Sequence, residues 1–544
     1  NEIDQYLIHP KTIFTYLKDV QRMKKWSVKG EFKESKLVKD HFIFLERLEK
    51  YYSRFYEYLL GKKLGYQGLI YREATKKSSF YINENKHKKN FFIGFNALNK
   101  SEEILFQQFL ENGNSEIYWD IDRSFFEGNH NAGNFIRKYY KQWPYYEKND
   151  LQHIGDHFHN KKNIEVIGAV KNIAQIKYAG EILKGFSNHD NTAFVLGNES
   201  LLSATLNSIP DNVSSVNITM GYPLKNVPTS QLISSIFRLF ITQHQLQRAS
   251  SIQFYHKDVI RFFKNPILFQ LLRKHSKNVL LAIQSSILKE NVTFVTREKI
   301  RSYLEDLDKE THTLLLSIFN PYLSVNEFIN RILFFIEKVR DHVTSLEKEY
   351  LYRINKIFIQ LRNSNNAGNY FQNIKSLYNF YRKIIGNEKL SFQGEPLSGL
   401  QMMGMLETRA LDFENVIITS VNENVIPSNS KQNSFIPFDI KVEFGLPTYR
   451  EKDAIYSYHF FRLLQRAKNI YLLYNTENDS FGNGEKSRFI AQLELIRSEV
   501  VSKLVSPKVI TKKKEQVEID KNNMVLSRLE ELAVKGISPS AITN

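Results

Sequence analysis

The stretch that decides the fold runs from residue 401 to residue 427 and reads QMMGMLETRALDFENVIITSVNENVIP. It contains two apolar segments, 402–405 and 416–418, separated by a charged turn. Strands that are apolar along their whole length are typical of parallel sheets covered by helices on both faces. Ligands of such sheets bind in the loops at the strand ends, so the charges of these loops are functional candidates. The candidates in this stretch are Glu407, Arg409, Asp412 and Glu423.

A second stretch, residues 456–476, reads YSYHFFRLLQRAKNIYLLYNT. Its first part has the spacing of an amphipathic helix, and residues 470–474 have the composition of a buried strand. Arg462 and Arg466 stand at the end of that helix, just before the strand. A helix that leads directly into an apolar strand again predicts an α/β fold.

The order and spacing of these residues resemble motifs V and VI of superfamily I DNA helicases. The resemblance is to the divergent form in AddB/RexB-type helicase-nuclease subunits, a branch of the bacterial PD-(D/E)XK nuclease family. Residues 409–413 (RALDF) stand where the parent helicases have Lys-Gly-Leu-Glu-Phe, and Glu423 and Pro427 stand in the place of a Glu-Gly-x-x-Pro turn. Arg466 and Ala467 correspond to the Arg-Ala pair of motif VI. The resemblance thus implies a motif V-like loop with Glu407, Arg409, Asp412 and Glu423, and a motif VI-like helix with Arg462 and Arg466.

The resemblance implies an α/β architecture with two RecA-like parallel-sheet cores, as in superfamily I helicases, and large all-helical insertions. It also implies that this chain, which lacks an initiator Met, is a segment of a longer protein. The division that follows is a helical insertion of the first core (1–85), the remainder of the first core (86–190), the second core (191–230 and 395–495), a helical insertion domain (231–394), and a linker with the start of a nuclease domain (496–544).

The composition favours a polyanionic partner. The 544 residues include 75 Lys and Arg against 58 Asp and Glu, a formal net charge of +17, which predicts attraction to nucleic acid. The absence of cysteine excludes disulfides and thiolate metal sites within the sequence. No apolar run is long enough to cross a bilayer and no signal-peptide profile is present, so we expect a cytoplasmic protein without a membrane partner.

Residues 94–101 (GFNALNKS) offer a competing interpretation as a phosphate loop. They differ from the G-x-x-x-x-G-K-S pattern by Asn99 in place of the second glycine, and they are predicted between a strand and a helix, as phosphate binding requires. In this interpretation Gly94, Lys100 and Ser101 hold the phosphates of ATP.

The family resemblance instead places this strand at motif II, where Mg²⁺-binding carboxylates are needed for phosphoryl transfer. Residues 91–93 are Phe, Phe and Ile, so the Mg²⁺ ligands are missing. We therefore expect no catalytic residue and no resident cofactor; ATP with Mg²⁺ belongs only to the competing interpretation.

Candidate DNA contacts combine cations with nearby aromatic rings, because bases stack on rings while cations meet phosphates. A run with several histidines, LQHIGDHFHN at 151–160, has no further ligand in sequence, and we expect surface histidines and no metal site. The DNA-contact candidates are Lys24, Lys25, Trp26, Arg72, Lys257 and Arg261.

The resemblance, together with the basic composition, implies a DNA-binding, degenerate helicase-like region that acts in double-strand end processing and recombinational repair. Its expected partners are DNA, either single-stranded or a duplex end, and an AddA-type helicase-nuclease subunit. Two alternatives stay open from the sequence: an active ATP-dependent DNA translocase, and a non-catalytic scaffold for a partner helicase-nuclease.

Overall fold

The structure, a computed structural model, describes residues 1–23, 36–246, 252–272, 276–290, 292–390, 398–428, 434, 436–478, 484–506 and 518–534. Its strands are β1 (Lys89–Ile93), β2 (Asn114–Tyr118), β3 (Asn163–Ala169), β4 (Thr192–Leu196), β5 (Val216–Ile218), β6 (Tyr222–Pro223), β7 (Gln253–Tyr255), β8 (Phe294–Thr296), β9 (Lys389–Leu390), β10 (Leu400–Gly404), β11 (Asn415–Thr419), β12 (Asn469–Asn475) and β13 (Val501–Val505).

Helices make up most of the remaining described chain. They are α1 (Glu2–Gln5), α2 (Pro10–Met23), α3 (Lys36–Gly61), α4 (Gln67–Glu84), α5 (Lys100–Asn112), α6 (Arg123–Glu127), α7 (Asn134–Gln142), α8 (Lys171–Lys184), α9 (Leu202–Leu206), α10 (Pro228–Leu246), α11 (His256–Phe263), α12 (Pro266–Leu272), α13 (Ser276–Glu290), α14 (Arg297–Tyr303), α15 (Lys309–Ile318), α16 (Val325–Val339), α17 (Ser345–Gly368), α18 (Ile374–Asn387), α19 (Phe438–Glu443), α20 (Tyr449–Gln465), α21 (Arg488–Ile496) and α22 (Asn523–Val534). Among the described residues, no helix is both long and apolar enough to span a bilayer.

A parallel sheet organises the described chain, with its strands in the order β13-β3-β12-β11-β4-β10-β5. The central strands β4 and β10 are buried at every position, which their sequences TAFVL and LQMMG allow. One face of the sheet packs on α8 and α9, and the other on α20 and the segment around α5 to α7. The structure therefore confirms a mixed α/β fold built on a parallel sheet, with strands where both quoted stretches predict them.

Strand β3 joins this same sheet, although the predicted division assigns it to the first core. It pairs along its whole length with β12, from Asn163 opposite Asn469 to Ala169 opposite Asn475. The predicted boundary at residue 190 therefore does not separate one sheet from another. Sequence periodicity identifies an apolar strand but carries no information about its neighbour in the sheet, which explains the difference.

Strands β1 and β2 form a separate small parallel sheet, connected by α5. A parallel pair with a helical crossover is a βαβ unit. The core of this unit is continuous with one face of the large sheet: Phe106 and Ile117 belong to the same buried cluster as Val416 and Leu472.

A block of helices, α10 to α18, forms its own apolar core between β5 and β10. The chain enters the block through β6 and leaves it through β9, and these two short strands pair antiparallel, with Tyr222 opposite Leu390. The segment predicted to be all-helical is mostly helical, but it also contains the antiparallel strand pair β7 and β8, with Phe254 opposite Val295. Within this block α16 ends at Val339 and α17 begins after the N-cap Thr344, and Leu346 in the first turn of α17 is exposed.

Candidate nucleic-acid interface

The two predicted motif regions meet at a junction between the small and the large sheet. Helix α20 begins with a capping box in which Thr448 and Glu451 bond each other's backbone amides, a common way to satisfy free N–H groups. Its last turn carries Arg462, whose side chain is 4% exposed, and Arg466 follows directly after the helix. A guanidinium buried to that degree needs anionic partners.

Two aspartates supply those partners. Asp120, just after β2, lies 2.6 Å from Nε of Arg462 and 3.0 Å from Nη2 of Arg466. Asp412, in the loop before β11, lies 2.9 Å from Nη2 of Arg462 and 3.1 Å from Nη1 of Arg466. Each arginine therefore bridges both carboxylates. We call these four residues the arginine junction.

The junction is further fixed by neutral groups and by its electrostatics. Gln465 Nε2 donates to the Asp120 carboxylate at 3.0 Å, and the Tyr458 hydroxyl donates to the Asp120 carbonyl at 3.0 Å. Burial raises the pKa of the Asp120 carboxyl, but the charges and hydrogen bonds of Arg462 and Arg466 outweigh it and hold this pKa below its ordinary value. Asp120 is thus ionised near neutral pH.

The motif V-like loop also touches the small sheet. Arg409 Nε donates to the Gly94 carbonyl at 3.2 Å, and its guanidinium lies 5.1 Å from the ring centre of Phe95. Gly94 has φ +70°, a conformation that favours glycine, and a side chain there would meet Ala410 at 3.3 Å. Arg409 and the glycine predicted for phosphate binding therefore contact each other and hold the two sheets together.

The other motif V-like residues lie near the carboxyl edge of the large sheet. Glu407 lines a cavity of about 450 Å³ at the ends of β4, β10 and β11, together with Glu199 and Lys389, which form a 2.6 Å ion pair. Glu423 does not line this cavity; it accepts from Nε of Arg488 at 2.9 Å. The predicted loop residues thus lie in four different surroundings, with Asp412 in the junction, Arg409 on the small sheet, Glu407 in the cavity and Glu423 beside Arg488.

The side chains of the predicted phosphate loop are committed to other partners. Asn99 caps α5 in a reciprocal capping box with Glu102, which takes an amide that a phosphate would need. Lys100 pairs with Glu103 at 3.1 Å, and buried Ser101 donates to the carbonyl of Gln5 at 2.9 Å. Two glutamates in the first turn make this helix start unfavourable for an anion.

The candidate DNA contacts separate into three groups. Arg72 is a structural residue: its Nε bonds the fully buried Asp4 at 2.7 Å, and Nη2 donates to backbone carbonyls of Ile3 and Ile8. Lys24, Lys25 and Trp26 lie outside the described residues.

Lys257 and Arg261, the remaining candidates, line a cavity in the helical block. The cavity, which we call the basic hollow, has a volume of about 690 Å³ and six cationic lining residues: Lys225, Arg238, Lys257, Arg261, Lys264 and Arg382.

Two residues that hold the end of α20, Asp120 and Lys162, were not predicted from the sequence. Asp120 holds both junction arginines, but it follows a strand of mixed polarity, NSEIY, which apolar spacing does not identify. Lys162 is buried and donates to the carbonyls of Gln465 at 2.9 Å and Ala467 at 2.8 Å, which fixes the end of α20. Burial, with Arg497 nearby, lowers the pKa of Lys162 to about 8.

The histidine run is organised by a buried carboxylate. Asp122 accepts from the backbone amides of His157 at 2.7 Å and Phe158 at 3.0 Å. Within the described ranges, no three His, Cys, Asp or Glu side chains converge as metal ligands would.

No protein-family model matches this chain, and no curated protein matches it. A function is therefore inferred from the contacts of the junction and the two cavities.

We predict that Asp120→Asn destabilises the protein by about 2 to 4 kcal/mol, because it removes a charge that compensates the buried Arg462. Denaturant unfolding followed by circular dichroism measures the effect. The matched control is Glu127→Gln, which removes a carboxylate from an exposed pair with Arg123 and should change stability by less than about 0.5 kcal/mol. Equal effects of the two substitutions would show that the junction does not hold the sheets together.

The stability of the protein should depend on pH through the buried His459. Burial, together with the charges of Arg409 and Arg462, lowers the pKa of His459 to about 4. His459 takes up a proton near pH 6.5 in the unfolded chain but only near pH 4 in the folded protein. The free energy of unfolding therefore falls as the pH drops from about 6.5 to about 4, by at most about 3 kcal/mol. His459→Gln should remove this part of the pH dependence, measured as the unfolding midpoint at several pH values. The exposed-histidine control His87→Gln should keep it, and identical pH profiles for the two variants would contradict the assignment.

Proposed function

We propose that this chain is a DNA-binding, degenerate helicase-like region of an AddB/RexB-type subunit, acting with an AddA-type partner in double-strand end processing. The observation that carries the proposal is the arginine junction. Arginines from the motif VI-like helix and the motif V-like loop contact residues directly after the strands of the small parallel sheet, which supports the proposed likeness to a helicase core. Here they meet Asp120, Asp412 and a backbone carbonyl where an active motor would present a nucleotide.

The neutralised arginines support a passive role. A γ-phosphate is stabilised in phosphoryl transfer by arginines that are free to approach it. Arg462 and Arg466 each contact two carboxylates, so a triphosphate would have to displace both aspartates to reach them. A partner subunit then supplies the motor, while this chain guides DNA.

The surplus of cations supports DNA as the ligand. The net charge of +17 and the basic hollow give a field that attracts phosphates. The cavity at the carboxyl edge of the large sheet is where open α/β sheets bind ligands. Lys225 lines both this cavity and the basic hollow, so the two surfaces are contiguous.

The test of DNA binding is its dependence on salt. Displacement of counterions by several phosphate contacts should weaken the affinity for a tailed duplex by about tenfold or more between 50 and 200 mM NaCl. Fluorescence anisotropy with a labelled DNA measures it. A change smaller than about threefold, or no binding at low salt, would exclude the proposed role and favour a scaffold that only holds a partner.

The translocase alternative is tested at Lys100. Because Lys100 pairs with Glu103 and the helix start is already capped, Lys100→Ala should leave nucleotide affinity unchanged within about twofold and reveal no loss of ATP hydrolysis. Lys62→Ala, an exposed lysine at the end of α3, is the control. A loss of ATP binding or hydrolysis confined to Lys100→Ala would establish the translocase instead.

A further inference from the structure

The basic hollow is built by three helices that present polar stripes to one space. Helix α10 contributes Gln231, Ser234, Ser235 and Arg238, which follow the three- and four-residue steps of one helix face. Their neighbours Ile233, Ile236, Phe237 and Phe240 are buried in the core of the helical block. Gln231 and Arg238 are therefore on the exposed side of a well-packed helix, while Ser235 of the same stripe is buried.

The two other walls follow the same spacing. Lys257 and Arg261 lie four residues apart on α11, and Lys264 continues that face directly after the helix. Tyr378 and Arg382 lie four residues apart on α18. Cations thus approach one space from three elements whose positions are fixed by a shared apolar core.

Most of the cations that line the basic hollow have no carboxylate partner among the described residues. Arg261 pairs with Asp258 at 2.7 Å, while the other five cations form no ion pair with any described residue. Like charges around one space repel each other, and the repulsion opposes folding until an anion enters. The junction arginines show the contrast, since there each guanidinium meets two aspartates.

One side of the hollow also offers a flat surface. The guanidinium of Arg382 lies 5.8 Å from the ring centre of Tyr378, and the ring centres of Tyr378 and Phe237 are 4.9 Å apart. Bases stack on such aromatic and guanidinium planes. The volume of about 690 Å³ lies within the range of about 300 to 1,000 Å³ of ordinary ligand sites.

We propose that the basic hollow binds a nucleotide-type anion with several adjacent phosphates, its cations meeting the phosphates while Tyr378 and Arg382 meet a base. Two sources share this chemistry. One is a nucleic-acid strand, and this form rests on the proposed DNA-binding function. The other is a free nucleoside polyphosphate, which needs no DNA.

The experiment uses the full chain with two charge-matched triple variants. The hollow variant is Lys257→Gln, Lys264→Gln and Arg382→Gln. The control variant is Arg301→Gln, Lys309→Gln and Lys356→Gln, three exposed positions of the same helical block that do not line the hollow. The probes are a labelled twelve-residue oligothymidylate followed by anisotropy, and ATP and tripolyphosphate followed by calorimetry, all at one salt concentration.

We expect the hollow variant to weaken binding of at least one probe by about tenfold or more, and the control by about threefold at most. Without ligand, the hollow variant should melt no lower than the control because its repulsion is relieved. Selective loss of oligothymidylate identifies a strand as the ligand; selective loss of ATP and tripolyphosphate identifies a free nucleotide.

Equal binding of every probe by the two variants would overturn the inference. If both variants also bind oligothymidylate as the unmodified chain does, the proposed function stands and the inference alone fails. If the unmodified chain binds tripolyphosphate but no DNA, and the hollow variant loses it, the proposed function fails and the inference stands.

Discussion

A buried guanidinium at the end of α20 constrains the rest of the described structure. Arg462 is almost fully buried, and leaving such a charge without a partner costs about 3 to 5 kcal/mol. Its carboxylates come from two distant places, the end of β2 and the loop before β11. The small sheet, the large sheet and α20 must therefore come together before this charge is compensated, and Arg409 adds a third link through the Gly94 carbonyl.

This junction accounts for the position of elements that have no charge themselves. The end of α20 is held by Lys162, which precedes β3, so β3 and β12 begin at a common level in the sheet. The same aromatic core continues from the small sheet across to α20, where Phe125 packs on Phe461 with ring centres 5.4 Å apart. Charge compensation selects the geometry, and apolar burial supplies most of the stabilisation.

The sequence was informative about local structure and about the order of elements. The strands at 400–404, 415–419 and 469–475 and the helix before the last of them lie where apolar spacing predicts them. The strands among these segments pack against apolar clusters on both faces of the sheet. Most of their residues are therefore apolar, and composition alone identifies them. The spacing of Arg462 and Arg466 also identified the correct helix end.

What the sequence did not contain is the set of long-range partners. Asp120 lies more than 300 positions before Arg462, and no local pattern marks it. Arg72 is a cation close to aromatic residues in the sequence, as expected of a DNA contact. In the structure it instead pairs with the buried Asp4 of α1. The loop at 94–101 has nearly the spacing of a phosphate loop, but capping by Asn99 and the contact of Ser101 with α1 depend on how the chain folds around it.

The two short strands that attach the helical block, β6 and β9, lie beside both cavities. The block is attached through β6 and β9, and Lys389 of β9 pairs with Glu199 beyond β4, at the edge of the large sheet. Lys225 follows β6 and lines both cavities. The ammonium group of Lys225 is therefore shared by the two cavities, and its position follows from the pairing of β6 with β9. Because both cavities are lined by this one group, their positive charges are not independent of each other.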